Sequence, residues 1–83
     1  MDYEKAKELK NRRKSAEKKL AETEKQIAET EAKIEENQRK QEQCASDYER
    51  ISRLFSELSE LNDKLEKLYE TWDELQTILD EIQ

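Results

Sequence analysis

Apolar positions recur at alternating steps of three and four along most of the chain, in two runs of unequal strength. The first occupies Ala6, Leu9, Arg13, Ala16, Leu20, Thr23, Ile27, Thr30, Ile34, Asn37, Gln41 and Cys44. In heptad letters its a sites are 6, 13, 20, 27, 34 and 41, and the d sites lie three residues on. Only Leu9, Leu20, Ile27 and Ile34 are large and apolar, so this seam is too lean to hold a structure alone. The second run is Ile51, Leu54, Leu58, Leu61, Leu65, Leu68, Trp72, Leu75, Leu79 and Ile82, a large apolar side chain at every a and d site. At ~1.5–3 kcal/mol for each such side chain buried, that stripe demands a partner.

Between the runs the register slips: Gln41, Cys44, Asp47 and Ile51 are three, three and four apart. A continuous coiled coil would have to overwind there, whereas a chain that reverses needs no distortion. Ser46-Asp47-Tyr48-Glu49, just after the slip, has the S-x-x-E form of a capping box, with Asp47 favoured in a first turn by the helix dipole. The pattern predicts an all-α fold, a two-helix antiparallel coiled-coil hairpin over residues 1–83. The first helix is expected at about 3–42, the turn at about 43–46 and the second helix at about 47–82.

Two registers satisfy the heptads, with facing residue numbers summing to 88 or to 95. The first is preferred because it sets Ala6 against Ile82, Ala16 against Trp72 and Thr23 against Leu65, small residues meeting large ones as interdigitated layers require. The expected core is Leu20, Ile27, Ile34, Leu61, Leu65, Leu68, Trp72 and Leu75.

Composition sharpens this reading. The chain is 46% charged with no Gly, Pro or His, and it is dominated by strong helix formers, which favours helix over disorder. No apolar run approaches the ~18 residues of a membrane span, and the opening MDYEKAKELK lacks the apolar core of a secretory signal. The lone Cys44 fits a reducing compartment, and a cytoplasmic location is expected. Charge is uneven: residues 1–20 carry net +4 and residues 46–83 net −7, in a chain of net −6. A hairpin lays the basic start beside the acidic end, where each offsets the unfavourable dipole of its own helix terminus.

Candidate chemistry is sparse. Without His, and with a single Cys, no thiolate or imidazole metal site can form, and without Gly there is no phosphate-cradling loop. Carboxylate pairs on a thin rod stay solvated, so no catalytic, metal or cofactor residues are assigned and the chain is read as non-enzymatic. Three surface features remain. Lys5, Arg12, Lys19, Lys33 and Lys40 share the g edge of the first helix: a solvated flank facing acidic residues, or a nucleic-acid-contacting edge. Tyr48, Phe55 and Tyr69 at e sites of the second helix either widen its apolar face over the lean first helix or form an exposed ridge. Arg13 stands at a core a site opposite Leu75, where its stem can pack while the guanidinium reaches outward.

Within LNDKLEKLYETWDELQTIL, the residues Leu68, Tyr69, Trp72 and Leu75 form a Leu-Tyr-x-x-Trp-x-x-Leu pattern, and the chain opens DYEKAKELKNRRKSAEKKLAETEKQI. Both segments resemble the C-terminal coiled-coil domain of ABC-F type ATP-binding proteins. The resemblance implies a piece of a larger protein whose two ATP-binding domains, with their ATP and Mg, lie upstream of Met1, while this piece holds none of the ATPase motifs. It further implies ribosome, rRNA or DNA contact made through the parent during translation; no membrane partner is expected, since no segment is apolar enough to span one. The alternative reading is a structural coiled coil for oligomerisation or protein interaction, with a weak homodimer as one form.

The two topologies differ in length: an unbroken helix would be ~125 Å, whereas each arm of a hairpin is roughly 55–60 Å. Spin labels at Glu8 and Glu81 should therefore lie close within one molecule. A long distance measured in label-diluted samples would favour the continuous helix.

Overall fold

A computed structural model describes residues 2–82, which form two helices, α1 (Asp2–Gln43) and α2 (Tyr48–Ile82), packed side by side as a hairpin. The molecule is a rod with extents of 69 × 14 × 14 Å. Among the described residues no helix is long and apolar enough to cross a membrane.

The reversal is built from backbone hydrogen bonds and one cap. The Cys44 amide donates to the carbonyls of Lys40 and Gln41, closing α1, and the Asp47 amide donates to the Cys44 carbonyl across the turn. Asp47 then opens α2. Its carbonyl accepts the first helical bond, from Ile51, and its Oδ1 accepts from the Arg50 amide at 3.2 Å. That is the geometry of an N-cap residue bonding the third helical amide. The cap is thus Asp47, one residue beyond the Ser46 of the expected S-x-x-E box. Asp47 stands at the helix boundary and takes the role for which Ser46 sits too early. No described residue adopts a positive φ, so the chain turns without glycine.

The interior is a narrow column. Ala16, Thr23, Thr30 and Asn37 recur every seven residues along α1, and all four are buried, together with Ile27 and Leu75. All four are among the residues that make the first seam lean. Each polar member is satisfied: Thr23 and Thr30 donate to the carbonyls of Lys19 and Gln26 one turn back, at 2.8 and 2.7 Å. Asn37 donates to the Leu54 carbonyl of α2 at 3.0 Å and accepts from Gln41 at 2.7 Å. No buried side-chain polar atom among the described residues lacks a partner. Leu20, Ile34, Leu61, Leu65, Leu68 and Trp72 line the same seam but are half-buried. A two-helix rod only 14 Å across cannot enclose large side chains, so it is the small ones between them that disappear from solvent.

The register preferred from the heptads is not adopted. In it Ala6 is covered by Ile82 and Leu9 by Leu79; instead Ala6 is exposed and Leu9 is 44% exposed, as is everything from Asp2 to Ser15. The hydrogen bonds between helices join Asn37 to Leu54, Glu24 to Trp72 and Glu31 to Tyr69, pairs whose numbers total 91, 96 and 100. Side chains lean toward their own N-terminus, which raises the totals for the longer ones, but Asn37 is short. The pairing is therefore displaced from 88 toward 95. The place of the turn supplies the reason: α1 ends at Gln43 and α2 begins at Tyr48, so the helix ends that meet also total 91. The first turns of α1 consequently extend past the last residues of α2.

This displacement relocates two residues. Ala16 and Leu75, whose numbers total 91 like those of Asn37 and Leu54, are both buried, whereas Trp72 stays half-buried with its indole N–H 3.5 Å from Glu24 Oε1. Trp72 thus does not fill the space beside Ala16. Arg13, expected over Leu75, is exposed near the unpaired end of the rod. The basic and acidic ends make no ion-pair contact among the described residues: the pair found there is Lys40 with Glu36, at 3.8 Å within α1.

A buried Asn at one seam position fixes alignment at some cost in stability. Asn37→Leu should therefore raise the thermal midpoint while admitting a second alignment or a larger assembly, visible by analytical ultracentrifugation. Asn37→Ala should instead lower stability by about 1–2 kcal/mol, since it removes both bonds and opens space. An Asn37→Leu protein that stays a single species would take the aligning role away from this residue.

Candidate functional site

Antiparallel pairing sorts the surface into two sides. The g edges of the two helices lie together on one side and their e edges on the other. Contacts place them so: Lys40 and Cys44 from α1 and Arg50, Arg53 and Leu54 from α2 line one hollow. Across the rod, Gln38, Gln41, Glu42 and Ala45 of α1 line another with Tyr48 and Ile51 of α2. Glu24 and Glu31, at e sites of α1, meet Trp72 and Tyr69 on that second side.

The g side is cationic on α1. Lys5, Arg12, Lys19, Lys33 and Lys40 are all exposed. Successive heptads rise ~10 Å, so the five form a ladder of about 50 Å rather than a cluster. Gln26 occupies the rung between Lys19 and Lys33. Lys40 is loosely held by Glu36, with both side chains more than half exposed, a pair that contributes little. Two cations outside the expected set join the ladder at the tip. Arg50 is the first g residue of the second run, and Arg53 lies one turn along, so both face Lys40 across the hollow. The signal for Arg50 lies in its g site, because g faces g in an antiparallel pair; Arg53, at a c site, carries no such signal.

The e side carries aromatic and acidic groups. Tyr48 is 88% exposed, Phe55 56% and Tyr69 45%. They do not widen the buried face over α1, one of the two readings the sequence allows. Tyr69 lies nearest to doing so, its hydroxyl 3.5 Å from Glu31 Oε1. Phe55 and Tyr48 stand as an exposed ridge, because α1 is too narrow to extend beneath them.

Further hollows are shallow. Lys64 and Lys67 share one with Glu60 and Asp63, while Tyr3, Lys7, Lys10 and Lys14 line another on the unpaired end of α1. Among the described residues no group of three or more His, Cys, Asp or Glu is placed to hold a metal ion. What this arrangement offers chemically is electrostatic contact along one side and apolar contact along the other.

A family described as the ABC transporter C-terminal domain matches residues 13–77, taking in both helices, the turn and the Leu68-Tyr69-x-x-Trp72-x-x-Leu75 pattern. No curated protein and no solved structure matches the chain. Because the match spans most of the 83 residues and the paired helices supply the hairpin, the chain belongs to the ABC transporter C-terminal domain family, a helical appendage of ABC-type ATP-binding proteins.

Proposed function

We propose that this hairpin is the non-catalytic C-terminal appendage of an ABC-F type ATP-binding protein and contributes ribosome or nucleic-acid contact to that parent. ATP and Mg would be bound by the parent's own ATP-binding domains, and the contact would be made in the cytoplasm during translation. The observation that carries the reading is the exposed ladder Lys5, Arg12, Lys19, Lys33 and Lys40 along one side of α1. Cations at heptad spacing suit a phosphate backbone, which they position against without reading bases. With about two to four contacts the salt slope is shallow, roughly −2 to −4. A net charge of −6 works against the isolated chain, so most of the affinity belongs to the parent, where other domains orient the cationic side.

Arg12→Glu with Lys19→Glu in the parent should weaken its co-sedimentation with ribosomes while moving hairpin stability by no more than about 0.5 kcal/mol, as exposed substitutions do. A parent from which the whole hairpin is removed, yet which associates with ribosomes unchanged, would end the reading.

The exposed ridge of Tyr48 and Phe55 favours a second reading, a coiled coil that recognises another protein or a second copy of itself. Weak dimerisation at high concentration follows from it. Sedimentation velocity over about a hundredfold dilution separates the two, because self-association shifts with concentration and a monomer does not.

A further inference from the structure

We infer that the hollow at the tip of the hairpin grips a phosphate group of a nucleic-acid backbone between Lys40, Arg50 and Arg53. This deepens the nucleic-acid reading above and rests on it. At the tip, cations from both helices line one concavity, whereas along the rest of the ladder they stand singly on α1. The hollow has a volume of about 200 Å³, and its lining residues are those three cations with Cys44 and Leu54, no carboxylate among them. Neither Arg50 nor Arg53 makes an ion pair within the described residues, and Lys40 has only the 3.8 Å contact with exposed Glu36. The one carboxylate bonded beside them, Asp47, is engaged by the Arg50 amide as the helix cap.

The residue types fit a phosphodiester. A guanidinium is planar and offers paired donors that match two phosphate oxygens, and the ammonium adds a mobile point charge. Another acid-free concavity, around Lys7, Lys10 and Lys14, is presented by a single helix and has no guanidinium in its lining. Tip geometry also suits a backbone better than a free anion, since the convex end of a rod can enter a groove that its flanks cannot. The ladder and the tip then act in series: the rungs orient the rod along the nucleic acid and the tip holds one phosphate.

Cys44 in the lining supplies a reporter at the site itself. In the parent protein, alkylation of Cys44 by neutral iodoacetamide is followed by peptide mass spectrometry. The probes are a single-stranded RNA oligonucleotide, an abasic oligonucleotide of equal length and inorganic phosphate. Both oligonucleotides should slow alkylation roughly three- to tenfold at low salt, where phosphate contacts are tightest. Arg50→Gln with Arg53→Gln should abolish that protection, measured as the ratio with and without oligonucleotide so that altered thiol reactivity cancels. Protection that survives the double substitution, or an oligonucleotide that binds and leaves Cys44 unprotected, overturns the tip assignment. Equal protection by inorganic phosphate makes this a free-anion site and overturns the backbone assignment. Ribosome co-sedimentation separates the two proposals. Loss on Arg12→Glu/Lys19→Glu with none on Arg50→Gln/Arg53→Gln removes the tip alone, and loss from neither removes the nucleic-acid reading with it.

Discussion

The fit between a column of small side chains on α1 and a stripe of leucines on α2 is what the rest of this molecule depends on. Ala16, Thr23, Thr30 and Asn37 vanish from solvent because they are short enough for the second helix to close over them. A fully apolar first helix would present large side chains to large ones, and such a pair commonly recruits further helices to finish burying them. The polar members keep the interface from becoming a generic adhesive. Two threonine hydroxyls turn back on their own helix, and the Asn37 amide ties α1 to the Leu54 carbonyl at one level.

That level decides which surfaces exist. Displacing α1 by a few residues relative to α2 exposes its basic first turns and leaves Arg13 and Leu9 uncovered. Attraction between the oppositely charged ends acts over distance and through no close interhelical ion pair among the described residues. Exposed charges of this kind are largely screened beyond ~8 Å at physiological salt. They bias the direction of pairing without holding it. The result is a rod with a cationic side and an aromatic side, a division that the antiparallel pairing of g with g and e with e makes unavoidable.

Much of this was legible in the heptads. Two runs with a slip between them imply reversal, and the seam they mark includes the buried Ile27 and Leu75. Register was not legible, because a seven-residue repeat looks the same when shifted by seven, and the place of the turn rather than the pattern decides it. Trp72 was overvalued for a related reason: size suggested the centre of a core, but in two helices alone a large ring must emerge at the side. Thr23, Thr30 and Asn37 were undervalued since their polarity hides how little room they occupy. Of the cationic site, the α1 ladder could be read from spacing. Arg50 and Arg53 become members only when the second helix is folded back onto the first.

Reversal without a single positive φ has a consequence for how such a tip can diversify. Where a turn demands a left-handed residue, glycine or asparagine is imposed and little else is tolerated. Here the geometry asks for a short connection and an N-cap at Asp47, and leaves the identities of Cys44, Ala45 and Ser46 largely unconstrained by backbone shape. Relatives built on the same rod could exchange these side chains without refolding the hairpin, so the tip is where one scaffold can acquire different contacts.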